Sequence, residues 1–284
     1  MKKTFAADLV ETLLLCANER ALGFQQLEDL LKRLEFDPQF IVATALNQMQ
    51  KRSELLGDLY PFEALSYAVR KSPTCEDSAY VSLLSLSPEG LFRQLFDSRD
   101  IDLAAIDFER IVAYAMKSLA GPTSESIRFG WPSDVGRPME FPDAITWLGE
   151  KMGIRLGRGF RPPRRKDGGV DIVSWRKFKD GKTAFPIYLV QCTIQSDLRK
   201  KSDDIDLRNW SNWLDFSRDP QPVLAVPHEI SGQDEAWNEL GLKSLVLDRP
   251  RLIELCHEVD DAGHTFRFDN VSRLSLVRDY LEAR

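Results

Sequence analysis

Histidine is scarce in this 284-residue chain, with three copies, and cysteine is nearly so, with four. Cys16, Cys75, Cys192 and Cys256 lie far apart and form no CxxC pair. Neither a disulfide framework nor a cysteine-rich zinc site is therefore supported. His228 follows an apolar run, and Cys256-His257 with His264 lacks the spacing of a zinc ligand set. No Walker loop, GxGxxG turn or Ser/His/Asp constellation stands out, so P-loop, dinucleotide-binding and triad chemistry have no sequence support. No apolar run reaches membrane-spanning length. A positive excess is also missing. The net charge is −6, which argues against indiscriminate binding to nucleic acid.

What is present is globular: 43% hydrophobic and 29% charged residues. The length suits one large or two modest domains. The first residues, MKKTFAADLVETLLLC, have a basic start and an apolar run, but Asp8 and Glu11 interrupt the run where a signal peptide needs an uncharged stretch. The expectation is a soluble protein in the reducing cytoplasm, with no membrane association.

The N-terminal part reads as mostly helical. Leu9, Leu13 and Cys16 share a stripe, as do Leu27, Leu30, Leu31 and Leu34. Asp37-Pro38 reads as an N-cap and first helical residue opening a third helix. YPFEALSYAVRKS (60–72) and SAYVSLLSLS (78–87) are aromatic and β-branched enough to allow two strands, with helices as the open alternative. Three helices and a hairpin resemble a winged-helix module. Because its third helix has only Lys51 and Arg52 near its end, a scaffolding or protein-binding role is favoured over DNA reading. SPEG and SRDID punctuate the chain and set a boundary between a domain over 1–97 and another over 98–284.

The second part begins with a helix over 106–121, followed by a Gly/Pro/Ser-rich stretch over 122–140 read as a loop, and a helix over 142–153. Strands are expected at 170–175, 184–193, 222–227 and 244–248, with helices at 206–217 and towards the C-terminus; 228–243 is unassigned. This order implies an α/β layered domain with a mixed sheet. Trp210 and Trp213 share one side of their helix and are read as core residues rather than base-stacking ones.

Charge is unevenly spread. Residues 1–100 carry a net −4, 101–200 a net +5 and 201–284 a net −7. Between Lys151 and Lys182 there are 11 basic residues against three Asp. A basic segment in an acidic chain is a candidate phosphate-binding surface, or else a solvated loop. Its candidate contacts are Arg158, Arg161, Arg164, Arg165, Lys166, Lys177, Lys179 and Lys182, with Lys200 beyond it.

Within this segment lies the most informative element. Asp171 opens a strand directly after Lys166-Asp167-Gly168-Gly169, and the glycines permit a sharp entry. Asp180-Gly181 signals a turn, and the returning strand ends in Gln191-Cys192-Thr193. Both polar clusters thus fall at the open end of one hairpin. A strict two-residue turn sets Asp171 opposite Val190; a bulge or longer loop sets it beside Gln191.

DGGVDIVSW, a hairpin and then YLVQCT resemble the PD-(D/E)XK, or restriction-endonuclease-like, nuclease superfamily, and its Mrr-like branch in particular. Phe108-Glu109-Arg110-Ile111-Val112 is similar to the FExxV helix of that family, although Glu109 also suits a first-turn acid favoured by the helix dipole. The resemblance covers about residues 106–250. It implies a restriction-endonuclease-like mixed sheet flanked by helices, and Mg²⁺ (or Mn²⁺) held at the sheet edge to polarise a phosphodiester. Asp171 would be the main ligand, Gln191 a neutral oxygen ligand, Glu109 a direct or outer ligand, and the Cys192 backbone carbonyl a further one. Two departures stand out: Gln191 replaces an acid, and Thr193 replaces the usual Lys, for which Lys166, Arg199, Lys200 or Lys201 could substitute. The function implied is metal-dependent hydrolysis of DNA, in bacterial restriction or anti-phage defence. The alternative is a catalytically degenerate nuclease fold that binds nucleic acid or a protein. Nucleic acid and a protein partner or oligomer are the expected associates.

Overall fold

The N-terminal elements follow from caps and apolar stripes that the chain sets locally. A computed structural model describes residues 4–121, 123–159, 167–231, 235–263, 266 and 270–283. The chain divides into two units. One comprises Met1–Ala104, Pro227–Glu229 and Phe266–Arg284; the other comprises Ala105–Val226 and Ile230–Thr265.

The first unit runs α1 (Thr4–Cys16), β1 (Ala21–Gly23), α2 (Phe24–Arg33), α3 (Pro38–Leu56), β2 (Phe62–Ala64), β3 (Ala68–Lys71), α4 (Ala79–Ser85) and α5 (Leu91–Leu95). Asp37 caps α3, its carboxylate accepting from the Gln39 and Phe40 amides at 3.2 and 3.4 Å, and Pro38 takes the first helical position. Leu27 and Leu31 bury the inner face of α2, and α3 packs on α1. The three strands form an antiparallel sheet ordered β1-β3-β2. Three helices followed by a hairpin are thus observed, but the hairpin is formed wholly within residues 62–71. The run at 78–87, which the sequence leaves open between strand and helix, is helix α4. Its apolar residues are short and continuous, a pattern shared by buried strands and buried helices. The Ser78 hydroxyl decides for the helix by accepting from the Val81 amide at 3.3 Å.

The two acids that interrupt the apolar run of α1 have a structural use. Arg52 of α3 is buried, and its guanidinium meets Asp8 and Glu11, each at 2.8 Å. Glu11 also accepts from the Tyr60 and Tyr80 hydroxyls at 2.6 and 2.9 Å. Arg52 is therefore an internal counter-ion, leaving Lys51 as the exposed cation at that end of α3. Removing one member of a buried ion set strands the others without compensation. Arg52→Met is expected to destabilise the first unit by about 3–5 kcal/mol, read as a lowered urea midpoint; an unchanged midpoint would contradict this role.

The second unit runs α6 (Ser98–Ala120, its first turns counted in the other unit), β4 (Glu125–Arg128), α7 (Phe141–Met152), β5 (Ile172–Trp175), β6 (Ile187–Cys192), α8 (Leu198–Ser202), α9 (Leu207–Trp213), β7 (Gln221–Ala225), α10 (Glu235–Lys243), β8 (Leu245–Leu247) and α11 (Arg249–Asp261). The final helix, α12 (Val271–Glu282), belongs to the first unit. Five strands form one sheet ordered β4-β5-β6-β7-β8. The β4/β5 and β5/β6 pairs are antiparallel, and β6/β7 and β7/β8 are parallel. This is a mixed sheet flanked by helices, as the order of elements implies. Trp175, Leu189, Phe129 and Ile145 of α7 share one buried cluster with Trp210 and Trp213 of α9. Leu240 of α10 packs with Leu224 and Val246 on β7 and β8.

Three expectations are corrected here. Residues 125–128, read as part of a loop, form the edge strand β4. Their ESIR sequence is polar and short, and it is the ladder to β5, running from Glu125↔Trp175 to Arg128↔Ile172, that makes it a strand. The helix expected from 106 begins at Ser98, and the unassigned stretch contains α10. Among the described residues no helix is long and apolar enough to cross a membrane, and all four cysteines are free and buried.

Candidate active site

The register of the central hairpin is Ile172↔Val190 through Trp175↔Ile187. Continued by one residue, it sets Asp171 opposite Gln191, the longer-loop alternative. The loop between β5 and β6 spans residues 176–186, so no tight two-residue turn dictates the pairing. Asp171 is held on both sides. Its amide donates to the Val190 carbonyl at 2.8 Å, and its carbonyl accepts from the Phe129 and Gly130 amides at 2.6 and 2.9 Å.

The turn before it is built from glycine. Gly168 and Gly169 have φ of 65° and 78°, a region that favours glycine. A Cβ on Gly169 would lie 2.1 Å from the Asp204 carbonyl oxygen, and one on Gly168 would lie 2.9 Å from the Trp213 ring. Asp167 closes the turn by accepting from the Gly169 amide at 2.8 Å, and the Trp210 indole N–H donates to the Gly168 carbonyl at 3.1 Å. Trp210 and Trp213 are core residues that shape this turn.

Asp171 is 8% exposed. Its Oδ2 accepts from Gln191 Nε2 and from the Cys192 amide, both at 2.6 Å. Gln191 Nε2 also donates to the Cys192 carbonyl at 2.9 Å. Both partners are acceptors, so the network turns the Gln191 amide with its NH₂ group, and not its oxygen, towards Asp171. The Cys192 carbonyl is engaged by that same NH₂ group. Thr193 is buried; its amide donates to the Ala225 carbonyl, and its hydroxyl oxygen accepts from the Gln195 amide at 3.1 Å. This hydroxyl caps the chain leaving β6.

Glu109 lies on α6 beside the buried Phe108, and it comes close enough for its charge to act on Asp171. Its Oε2 accepts from Arg128 Nη1 at 2.6 Å and lies 2.8 Å from where a Cβ on Gly130 would stand. Arg128, on β4 and 4% exposed, also donates to Asp134 Oδ1 at 3.0 Å and to the Pro132 carbonyl. Burial pushes the Asp171 carboxyl well above the usual carboxylate range; the Glu109 charge adds to this, and Asp167 adds more, while the Cys192 amide and Lys201 oppose it. Burial also raises Glu109, opposed by Arg128 and reinforced by Asp167 and Asp134. Asp171 thus lies in the field of Glu109 and Asp167, and Glu109 in that of Asp167 and Asp134. Among the described residues, no group of three or more His, Cys, Asp or Glu is close enough to hold a metal ion. Asp171 Oδ1 and Glu109 Oε1 accept no hydrogen bond from the described residues. Two such oxygens, with water and a phosphate oxygen completing the shell, are a donor set that suits a hard cation.

The basic residues are divided. Lys177, Lys179 and Lys182 are exposed on the loop between β5 and β6, at the end of the hairpin away from Asp171. Four strand residues separate the two ends, roughly 13 Å at about 3.3 Å per residue. Lys200 is exposed and pairs with Asp197 at 3.0 Å. Arg158 is exposed, while Arg161, Arg164, Arg165 and Lys166 lie outside the described residues. Among the described residues, a cation that acts on Asp171 is Lys201 of α8, 19% exposed at its side chain and 3.5 Å from Asp204. Arg128 carried no sequence signal, because it sits in the polar strand read as loop.

Comparison with protein-family models finds none that matches, and no curated protein matches either. Among solved structures the chain is similar to the restriction endonuclease FokI, with 12% identity and a TM-score of 0.29, over 94% of this chain and 46% of that one. The chain thus spans less than half the length of that protein. At this TM-score the likeness is too slight to bear on fold or function.

The raised carboxyls have a thermodynamic consequence. A carboxyl whose folded pKa lies above its unfolded value binds its proton more tightly when folded, so stability falls as pH rises from about 4 through the folded pKa. Asp171→Asn keeps an acceptor for the two N–H donors and removes the charge. Without added divalent ions it is expected to melt higher than the parent chain at pH 7, with the gain shrinking towards pH 4. Calorimetry at both pH values checks this, and equal melting temperatures at pH 7 would contradict it.

Proposed function

We propose that the second unit is a metal-dependent nuclease that hydrolyses phosphodiester bonds in DNA, as the resemblance of DGGVD, QCT and FERIV to the PD-(D/E)XK pattern implies. One observation carries this reading. Asp171 and Glu109, on elements far apart in the chain, bring their carboxylates close enough for the charge of Glu109 to act on Asp171, each with an oxygen left unengaged by the described residues. Keeping two charges there is costly unless a cation relieves them. Asp171 and Glu109 would hold Mg²⁺ or Mn²⁺. When bound, the ion would polarise the phosphodiester and lower the pKa of an attacking water.

The chain's own groups have distinct tasks in this reading. Asp171 is held in place by backbone hydrogen bonds on both sides. Gln191 and the Cys192 amide fix its Oδ2, leaving Oδ1 for the ion. Arg128 fixes one oxygen of Glu109. Thr193 brings no positive charge, and Lys201 supplies one in its stead, stabilising the charge that builds on the phosphate oxygens. The basic segment around Arg158–Lys166 would grip the strand. The acidic flanks would limit access to free DNA, which suits a licensing partner and the restriction or anti-phage setting in the cytoplasm.

Titration calorimetry with Mn²⁺ and cleavage of plasmid DNA test the assignment. Both are expected in the parent chain and both lost in Asp171→Ala. Cleavage that survives in Asp171→Ala would refute it. DNA or protein binding without cleavage, indifferent to metal and to Asp171, would favour the degenerate binding subunit instead. Lys201→Met is expected to keep Mn²⁺ binding and to lower the single-turnover cleavage rate about 100-fold; an unchanged rate would remove Lys201 from the mechanism.

A further inference from the structure

The segment between β4 and α7 holds apolar side chains at the surface although it is firmly tied down. Trp131, Val135 and Met139 are 40%, 40% and 58% exposed, whereas Trp175, Trp210 and Trp213 are buried. Beneath the segment, the Arg128 guanidinium reaches the Pro132 carbonyl and Asp134, and Arg110 reaches Asp134 at 3.0 Å. The Ser133 hydroxyl accepts from the Val135 and Arg137 amides at 3.2 and 2.9 Å. The buried Arg137 guanidinium lies 4.4 Å from the centre of the Phe129 ring and 5.8 Å from that of Trp131. An exposed indole adds little to folding, yet polar anchors hold this one in place.

Its position gives the occupant. Gly130, the preceding residue, donates to the Asp171 carbonyl and abuts the Glu109 carboxylate. On the nuclease reading, a DNA strand whose phosphodiester met Asp171 and Glu109 would run beside Gly130, and the exposed Trp131 is the next residue along the chain. Every base has a π face, so such stacking tolerates any sequence.

We propose that Trp131 is a stacking platform for an unpaired base of the DNA strand, one nucleotide from the phosphate at the carboxylates. The proposal rests on the nuclease reading and assigns it a strand that is unpaired beside the site. A protein side chain as the true occupant is an outcome the test separates.

The probe is a fluorescein-labelled oligothymidylate of 15 nucleotides, compared with an abasic chain of equal length, by anisotropy with the full-length protein in Ca²⁺. The parent chain is expected to bind the abasic chain about tenfold more weakly than oligothymidylate, a readout that needs no variant. Trp131→Ala is expected to lose about tenfold on oligothymidylate and nothing further on the abasic chain, whereas Trp131→Phe stays within about threefold. The slope of log affinity against log salt should match between parent and Trp131→Ala, because stacking releases no counter-ions. Trp131→Ala binding oligothymidylate as tightly as the parent, or losing equally on both chains, overturns the platform and leaves the nuclease reading standing. Failure of the parent chain to bind either DNA, with capture of a protein at Trp131 in its place, overturns both.

Discussion

The antiparallel register between β5 and β6 is the constraint on which the candidate site depends. It puts Asp171 opposite Gln191. A slip of one residue would turn the side chain to the other face of the sheet and empty the site. No tight turn enforces this register, since eleven residues separate the strands. It is enforced from outside the hairpin. β4 clasps one side of β5 and its continuation holds the Asp171 carbonyl, while the parallel partner β7 holds β6 from Tyr188↔Gln221 to Cys192↔Ala225. The glycine turn completes the clamp, because a side chain at Gly169 would collide with the Asp204 backbone.

Electrostatics at the site runs against folding. Burial raises the cost of ionising Asp171 and Glu109; the charges of Glu109 and Asp167 add to it at Asp171, and those of Asp167 and Asp134 at Glu109. The chain offsets it only in part. Arg128 faces Glu109 and Asp134, and Lys201 acts on Asp171 from a pairing with Asp204. Strongly perturbed carboxyls cluster at functional sites, and structural ion-pair networks perturb them too. The first unit shows the contrast. There Arg52 is surrounded by Asp8, Glu11, Tyr60 and Tyr80, with each acid directly paired, and the network reads as a strut. Buried charge is paired in one unit and left partly unpaired in the other, and that difference is what supports placing the proposed chemistry in the second unit.

Much was written in local sequence. The stripes of α1 to α3, the Asp37-Pro38 cap, the strand after DGGVD, the buried strand ending in QCT and the core position of Trp210 and Trp213 all follow from spacing, caps and turn chemistry that act within a few residues. The joint placement of Asp171 and Gln191 at one end of the hairpin was legible too. The choice between two registers was not, because the deciding hydrogen bonds come from β4 and β7, both distant in sequence. β4 itself escaped notice, since a short polar edge strand has no apolar alternation and becomes a strand only through its partner. The segment of α4 stayed open between strand and helix because a continuous apolar run fits a buried helix as well as a strand.

Charge proximity was the least legible property. The basic segment stood out as a run, yet Lys177, Lys179 and Lys182 are carried to the far end of the hairpin, while Lys201, indistinguishable from Lys200 in sequence, is, among the described residues, a cation that acts on Asp171. By itself, then, the sequence determined the elements, their caps and the identity of the central aspartate, because these rest on backbone sterics and hydrogen bonds between near neighbours. Only the tertiary structure decided the register, the pairing of Glu109 with Arg128 and the choice of lysine, because each depends on groups brought together from separate parts of the chain, and Coulomb forces depend on distance in space and not along the chain.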